Sequence, residues 1–313
     1  MIYDNLIMQP NAWNTLNNYL NKQKLPNALL FYGNNGLGKE GHAIEFSALI
    51  NCSDPINQKS CGRCNSCTKI KAFQYGNLKL IHPLPTGKSK SPGNPLSNLT
   101  KSEFENYQNM LLLKSKDPYY KIQFTKANTI LINSIRSLKK ELSMSKIERG
   151  WNVIIISEAE KLCYPNNVSA NALLKVLEEP PEKTLFILIT SNYNRIIDTI
   201  KSRCQNIFFP RISYDKIFEI MNQELSDEDK NIIVNIANGD INLIKKIDSS
   251  ISEIYNDLKI FIKSCYDSNY QYNEELIRRI SILKRTDEIK LAMFFRIVLI
   301  YFKDLFVFSE SKI

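Results

Sequence analysis

The chain has 313 residues, of which 43% are hydrophobic and 23% are charged. This length and composition permit two or three folded domains and exclude an intrinsically disordered chain. Lysine and arginine outnumber aspartate and glutamate by 41 to 32, which gives a net charge of +9. The positive charge permits a nucleic-acid partner, although a composition rich in lysine, asparagine and isoleucine is also what an AT-rich genome encodes.

Three features bear on the membrane and the cellular compartment. Residues 1–10 lack a basic segment followed by an apolar core, so no signal peptide is predicted. The most apolar window, 291–308, is interrupted by Arg296, Lys303 and Asp304, which predicts an amphipathic packing helix and no membrane partner. Seven cysteines, four of them within sixteen residues, favour a metal site in a reducing, cytoplasmic compartment over a disulfide framework.

Apolar runs alternate with helical patterns in the first two thirds of the chain. The runs 28–32, 152–156 and 184–190 are short and rich in β-branched residues, which is typical of buried parallel strands. Between the last two runs, the helical pattern 171–177 is ended by a double proline. The order of strand, helix and strand predicts an α/β domain with a parallel sheet.

The pattern becomes purely helical after Pro210. We therefore predict an α/β domain at 1–210, a small helical domain at 211–248 and a second helical domain at 249–313.

An insertion at about 83–125 interrupts the α/β pattern. It begins with a stretch rich in Pro, Gly, Ser and Lys that predicts a loop. Thr100 and Glu103 then have the spacing of a capping box, which predicts a helix that runs to about Lys114.

The sequence GNNGLGKE, which begins at Gly33, fits the phosphate-binding loop G-x-x-x-x-G-K-[ST] at every fixed position except the last. The backbone N–H groups of Gly33, Gly36 and Gly38 would face phosphate oxygens. Lys39 would reach the β- and γ-phosphates, but Glu40 stands where a hydroxyl should hold Mg²⁺. The alternative is a loop kept for its turn geometry, with an empty site or a site that only binds nucleotide.

A second acidic motif should end another strand of the same sheet. Ser157 occupies the position of the aspartate that holds Mg²⁺ in active NTPases, and Glu158 stands where the attacking water would be polarised. Glu40 and Ser157 both remove support for the metal. ATP or ADP could therefore bind, but hydrolysis by this chain should be very slow or absent.

Four cysteines form the pattern C-x8-C-x2-C-x2-C: Cys52, Cys61, Cys64 and Cys67. Paired short spacings of this kind predict a structural Zn²⁺ in a module at 52–67, with no open position for water and hence no catalysis. A chance cluster of thiols or a redox switch is the alternative. The other cysteines are isolated and are predicted to be small buried residues: Cys163, Cys204 and Cys265.

Two sets of basic residues suggest contacts with phosphate. Arg203, in the tripeptide SRC after the last predicted strand, would reach the γ-phosphate of a neighbouring subunit as an arginine finger, or would pair with a carboxylate at the surface. Arg136, Lys139 and Lys140 share one helical face, which would either grip a DNA backbone or form a solvated basic surface.

Four features taken in order resemble the clamp-loader subunits of bacterial DNA polymerase III, which belong to the AAA+ group. They are the phosphate loop, the four cysteines after its helix, the stretch NALLKVLEEPP at 171–181, and the SRC tripeptide. Departures at Glu40 and Ser157, and Asn242 where a sensor arginine is expected, look like the delta-prime branch that does not hydrolyse ATP. The ATPase branch, gamma/tau, would carry Thr or Ser and Asp at the first two positions.

The resemblance implies an AAA+ fold in which 211–248 is a lid and 249–313 is a collar for oligomerisation. It also implies that Arg203 completes the ATP site of an adjacent gamma/tau subunit. The implied partners are gamma/tau and delta in a pentameric ring, the sliding clamp, and primed DNA during DNA replication. Two alternatives remain open, namely a gamma/tau-like ATPase motor subunit and a zinc-dependent DNA-binding module. The resemblance gives no function for the insertion.

Overall fold

The computed structural model describes residues 1–85, 95–124, 127–143, 149–221, 225–248, 251–266, 270–286 and 288–310. The chain divides into two compact units, Met1–Ile212 and Ser213–Ile313. A further boundary at 248 remains a prediction. The central part of the predicted loop, 86–94, lies outside the described residues.

The first unit is built on a sheet of five parallel strands in the order β2-β3-β4-β1-β5. The strands are β1 (Ala28–Tyr32), β2 (Leu78–Ile81), β3 (Asn152–Ile156), β4 (Thr184–Thr190) and β5 (Gln205–Phe208). Three of them, β1, β3 and β4, match the predicted strands residue for residue, because each is a run of mostly buried apolar side chains. The parallel sheet with helices between its strands confirms the predicted α/β fold class.

The two outer strands, β2 and β5, are not predicted by the sequence. Each has four residues, and each lies at an edge of the sheet. In β2 only Ile81 is fully buried, and in β5 only Ile207 is. Short edge strands with mixed exposure lack the apolar run that identifies a central strand.

Seven α-helices accompany the strands of the first unit within the described residues, the first of them before β1 and the other six between strands. They are α1 (Pro10–Asn21), α2 (Lys39–Ile50), α3 (Asn65–Lys71), α4 (Lys101–Lys116), α5 (Ile132–Leu142), α6 (Val168–Glu178) and α7 (Asp198–Lys201). Helix α6 covers the predicted helical pattern and ends two residues before Pro180. Proline has no N–H group to donate to the helix, so the double proline ends it as predicted.

Side chains alternate between the two faces of the sheet. Leu30, Ile154 and Phe186 belong to a core that also contains buried residues of α5 and α6. Their neighbours Leu29 and Ile187 point to the opposite face and are also fully buried. Burial on both faces explains why the central strands are continuous apolar runs.

The insertion folds as a small layer with its own apolar cluster. Helix α4 begins with the predicted capping box, in which Thr100 Oγ1 accepts from the Glu103 N–H at 3.3 Å and Glu103 Oε2 accepts from the Thr100 N–H at 2.8 Å. Apolar side chains of the insertion and of the segment after it pack together: Leu84, Tyr107, Met110, Ile122, Phe124 and Ala127.

The carboxyl ends of β1, β3 and β4 meet at one edge of the sheet. Tyr32 pairs with Thr190 in register, and Ile156 pairs with Leu188. The loop after β1 therefore lies beside the residues that follow β3 and β4. Open α/β sheets bind ligands at this edge, where the phosphate-binding loop that begins at Gly33 and the motif that begins at Ser157 come together.

The second unit consists of helices within the described residues. They are α8 (Tyr214–Phe218), α9 (Asp227–Ala237), α10 (Ile241–Asp248), α11 (Ile251–Tyr266), α12 (Tyr270–Thr286) and α13 (Glu288–Glu310). Arg279 on α12 donates from Nε to Asp257 Oδ1 on α11 at 2.8 Å, and Phe261 on α11 contacts Phe294 and Phe302 on α13.

Helix α13 covers the predicted packing helix at 291–308. It buries Met293 and Phe294 but leaves Leu299 and Phe306 more than half exposed. Among the helices described, none combines the length and the apolar character that a membrane crossing requires.

Candidate nucleotide site and metal centre

Two glycines of the phosphate-binding loop have positive φ angles. Gly33 has φ +146° and Gly38 has φ +76°, which are values that residues with a Cβ seldom adopt. A Cβ at Gly33 would lie 2.3 Å from the carbonyl oxygen of Phe209. The loop thus follows β1 as a tight turn and leads directly into α2, which is the geometry that the motif predicts.

Lys39 lies folded back over this loop. Its Nζ donates to the carbonyl oxygen of Gly33 at 2.8 Å and also to that of Asn34, and the residue is 6% exposed. The side chain that would contact the β- and γ-phosphates is therefore bound to carbonyl oxygens of its own loop. Gly36 lies between these positions and also has a positive φ, +69°.

Glu40 is paired with a lysine that the sequence analysis did not associate with the site. Its Oε2 lies 2.7 Å from Nζ of Lys114, whose side chain is 2% exposed. Burial alone would raise the pKa of Glu40, but the charge of Lys114, the charge of His82 when that residue is protonated, and hydrogen bonds from Lys114 and Ser157 lower it to about 2. Glu40 is therefore ionised, and it contacts Ser157, the second residue that departs from the magnesium-binding pattern.

Glu158 is also held by lysines. It adopts a left-handed backbone conformation with φ +52°, and its Oε2 lies 2.8 Å from Nζ of Lys161 and 3.3 Å from Nζ of Lys121. These ion pairs occupy the carboxylate that would polarise a water molecule in an active NTPase. Both acidic side chains of the site are thus neutralised by lysines of the chain itself.

The four predicted metal ligands come together at one point: Cys52, Cys61, Cys64 and Cys67. Their sulfur atoms all lie within 4.8 Å of one another, with Cys61–Cys67 at 4.0 Å and Cys52–Cys64 at 3.9 Å. Tetrahedral Zn²⁺ with Zn–S bonds of about 2.3 Å requires sulfur separations of about 3.8 Å. The cluster therefore fits a tetrahedral metal ion.

Backbone N–H groups donate hydrogen bonds to two sulfur atoms of this cluster. The N–H of Cys61 donates to Cys52 Sγ, and the N–H of Cys64 donates to Cys61 Sγ, both at 3.3 Å. Hydrogen bonds from the backbone of Arg63 and Cys64 lower the pKa of Cys61. Four sulfurs would complete a structural site and leave no position for a reactive water.

The isolated cysteines differ in exposure. Cys204 is buried as predicted and Cys163 is partly buried, but Cys265 is exposed, so the prediction is wrong for that residue. Cys265 lies near the end of α11, where the helical pattern does not by itself fix which side faces solvent.

Arg203 lies at the surface beside a carboxylate. Its Nη2 is 2.6 Å from Oε1 of Glu178 and its Nη1 donates to the carbonyl oxygen of Thr199 at 3.1 Å. The Arg203 side chain is 36% exposed and that of Glu178 is 49% exposed. The carboxylate pair considered as the alternative is therefore present, and the guanidinium remains accessible from solvent.

The predicted basic face is divided by the fold. Arg136 and Lys139 line a surface groove of about 350 Å³ between α5 and α6, together with Lys175, which the sequence analysis did not include. Lys140 is exposed but does not line this groove. No acidic side chain is among the residues that line the groove in the described part of the chain.

A five-stranded parallel sheet that carries a glycine-rich loop and a lysine between β1 and the next helix defines a P-loop NTPase-type domain. A family model described as "DNA polymerase III, delta subunit" matches residues 8–213. The chain belongs to this family, the AAA+ clamp-loader family of DNA polymerase III, which confirms the resemblance inferred from the sequence.

Curated relatives include two types of clamp-loader subunit. The chain is 24% identical over 268 residues to DNA polymerase III subunit delta' of Bacillus subtilis. The aligned region covers 84% of this chain and 66% of that protein. It is 26% identical over 267 residues to subunit tau of the same organism, covering 82% of this chain and 39% of that protein. The chain thus spans less than two thirds of the length of these relatives.

A solved structure with a related name also matches. The gamma subunit-related protein of Thermotoga maritima aligns with 91% of this chain and 76% of that chain, at 16% sequence identity and a TM-score of 0.42.

Proposed function

We propose that this chain is a delta-prime-like subunit of the DNA polymerase III clamp loader that does not hydrolyse ATP itself. The observation that carries the proposal is the state of the two magnesium positions. Glu40 is ionised and paired with Lys114, and Ser157 hydrogen-bonds Glu40 instead of supplying a carboxylate. Phosphoryl transfer depends on positioning and charge stabilisation by the metal, so a site arranged in this way is unsuited to catalysis.

Arg203 is the residue through which the chain would act on ATP. In this proposal it lends its guanidinium to the ATP site of an adjacent gamma/tau subunit, as an arginine finger in trans. The accessible position of the side chain supports this role, because an exposed ion pair is worth only about 0–1 kcal/mol and is readily exchanged for a phosphate contact.

The partners proposed are gamma/tau and delta in a pentameric ring, together with the sliding clamp and primed DNA. The groove with Arg136, Lys139 and Lys175 supports contact with a DNA backbone, because three cations converge there. The cysteine cluster is proposed to hold structural Zn²⁺ and the chain to work in the reducing cytoplasm, which keeps thiolates available to a metal.

The identities to delta' and tau are similar, so the ATPase alternative needs a direct test. The purified chain is mixed with gamma/tau and delta subunits, and a stable mixed complex is sought by size-exclusion chromatography. ATP turnover is then measured for the isolated chain and for the complex. The proposal expects no turnover by the isolated chain and turnover by the complex. Brisk, magnesium-dependent turnover by the isolated chain would instead identify a motor subunit.

A further inference from the structure

The end of the insertion lies against the start of the phosphate-loop helix. Two of its lysines, Lys114 and Lys121, contact the two carboxylates of the site: Nζ of Lys114 lies 2.7 Å from Glu40, and Nζ of Lys121 lies 3.3 Å from Glu158. The two lysines are separated by one short turn after α4. A single segment of the insertion thus reaches both acidic positions.

Lys114 is surrounded by oxygen atoms. Its Nζ lies 2.7 Å from Glu40 Oε2, 2.9 Å from the carbonyl oxygen of Pro118 and 2.7 Å from that of Tyr120. An ammonium group has three donors, and these three oxygens satisfy them. Carboxylate and carbonyl oxygens are also the ligands that a hard divalent cation takes in proteins. The ammonium therefore occupies a complete oxygen-lined cation position.

The backbone around Lys114 is anchored to the N-terminal segment. The hydroxyl of Tyr3 donates to the carbonyl oxygen of Lys114 at 3.0 Å, and the N–H of Ile7 donates to the hydroxyl of Tyr119 at 2.8 Å. These bonds hold the turn after α4 in place from a distant part of the chain. The ammonium position is thus fixed by folding and does not depend on a mobile surface side chain.

Glycines of the phosphate loop and its helix allow this close packing. A Cβ at Gly41 would lie 2.7 Å from Cβ of Pro118, and one at Gly38 would lie 3.1 Å from Cε1 of Tyr119. The insertion is therefore docked directly on the beginning of α2, where phosphates and metal meet in an active P-loop site.

We propose that the insertion supplies cations to this site: Lys114 stands in for the divalent metal at Glu40 and Ser157, and Lys121 does so at Glu158 together with Lys161, which lies outside the insertion. The chain therefore takes up no divalent metal at these carboxylates and no metal–nucleotide complex. This inference rests on the proposed function and deepens it, because it gives the insertion the role of a permanent occupant of the inactive site.

Thermal unfolding of the full chain tests the pairing. The variants are Glu40→Gln, Lys114→Met and the double variant, with Lys116→Met on the exposed side of the same helix end as the matched control. Either single change leaves a buried charge without its partner and should lower Tm by roughly 10 °C. The double variant should lose clearly less than the sum of the two single losses, although the carbonyl oxygens of Pro118 and Tyr120 also lose their donor, and the control should not change Tm.

Additive losses in the double variant would overturn the inference. Where Lys114→Met alone does not fold, the double variant should still fold, because it leaves no buried carboxylate without its cation. A double variant that is unfolded under the same conditions would also overturn it.

A second measurement addresses the metal directly. Binding of Mn²⁺ with ATP to the wild-type chain is followed by electron paramagnetic resonance, in buffer without chelator so that the cysteine centre is untouched. We expect no saturable Mn²⁺ binding to the protein, and we expect magnesium to leave the affinity for ATP unchanged, because lysines replace the metal. Saturable binding of Mn²⁺–ATP would overturn the inference.

These readouts separate the inference from the proposed function. Both use the isolated chain, whereas the role of Arg203 is read from ATP hydrolysis by the mixed complex. If the losses in Tm of Glu40→Gln and Lys114→Met are additive but Arg203→Ala depresses ATP hydrolysis, only the role of the insertion is rejected. If Glu40 and Lys114 are strongly coupled in Tm but Arg203→Ala leaves ATP hydrolysis unchanged, only the arginine-finger role is rejected.

Discussion

Arg203 and Glu178 form an ion pair across 25 residues of sequence, with Nη2 and Oε1 separated by 2.6 Å. Glu178 is the last residue of α6, and Arg203 follows α7. The pair therefore joins the stretch NALLKVLEEPP to the SRC tripeptide, which the sequence presents as separate motifs.

A change at Arg203 removes both its guanidinium and its ion pair with Glu178, and variants of the two residues separate these effects. Arg203→Ala should depress ATP hydrolysis by the mixed complex, by less than the roughly 10³–10⁵-fold typical of arginine fingers because other ATP sites in the ring continue to work. Glu178→Ala breaks the same ion pair but keeps the guanidinium, so hydrolysis should be largely retained. Both variants should stay within about 4 °C of the wild-type Tm. Equal hydrolysis by Arg203→Ala and wild type would remove the finger assignment.

Lys39 provides a test of the phosphate loop itself. Because its Nζ donates to carbonyl oxygens of its own loop, Lys39→Met should lower the free energy of unfolding by about 1–3 kcal/mol. It should leave ATP hydrolysis by the mixed complex unchanged at a temperature where the variant is folded. Denaturant unfolding and steady-state turnover measure the two effects. A loss of turnover as large as that of Arg203→Ala would mean that this loop takes part in hydrolysis.

Metal analysis tests the cysteine cluster. The purified chain should contain one zinc ion, and Cys67→Ser should abolish its binding and lower Tm by at least about 5 °C, because metal binding contributes to folding. Cys265→Ser, at an exposed cysteine outside the cluster, is the control and should keep both zinc and Tm.

The same metal-free protein addresses the DNA-binding alternative. On our proposal, complexes that contain Cys67→Ser retain affinity for primed DNA, provided that the variant is folded and assembled. Loss of DNA affinity in an intact complex would favour a zinc-dependent DNA-binding module.

Two buried histidines predict how stability depends on pH. Burial lowers the pKa of His42 and His82 to about 4 from an ordinary value near 6.5. The unfolded chain therefore binds protons that the native state does not bind between pH 6.5 and 4. The stability contributed by the neutral histidines is fully present above pH 6.5 and falls as the pH is lowered, by up to about 3 kcal/mol for each residue.

His82 allows this pH dependence to be assigned. Neither ring nitrogen of His82 has a hydrogen-bond partner among the described residues, so His82→Phe sacrifices no such bond. We expect the variant to unfold with a shallower dependence on pH between 6.5 and 4, as measured by urea titration. An unchanged slope would show that His82 does not titrate in this way. His42 is less suited to this test, because its ring accepts from the Gln9 N–H at 3.0 Å and also bonds the Gly38 carbonyl.

Local patterns in the sequence determined much of this protein. The central strands, the glycine loop before Lys39 and the spacing of the cysteines are each set by residues close together in the chain. Backbone sterics and continuous runs of apolar side chains act over this short range, so these local patterns were sufficient. The edge strands β2 and β5 escaped prediction because their exposure depends on their neighbours in the sheet.

Only the tertiary structure decided what the altered site contains. The sequence showed that Glu40 and Ser157 depart from the magnesium-binding pattern, but it could not show that they contact each other or that Lys114 joins them. Lys114 lies 74 positions after Glu40, within a helix whose local pattern marks it as an ordinary last-turn lysine. The pairing of Glu40 with Lys114 depends on how the insertion packs against α2. That packing is determined by contacts between residues that are far apart in the sequence.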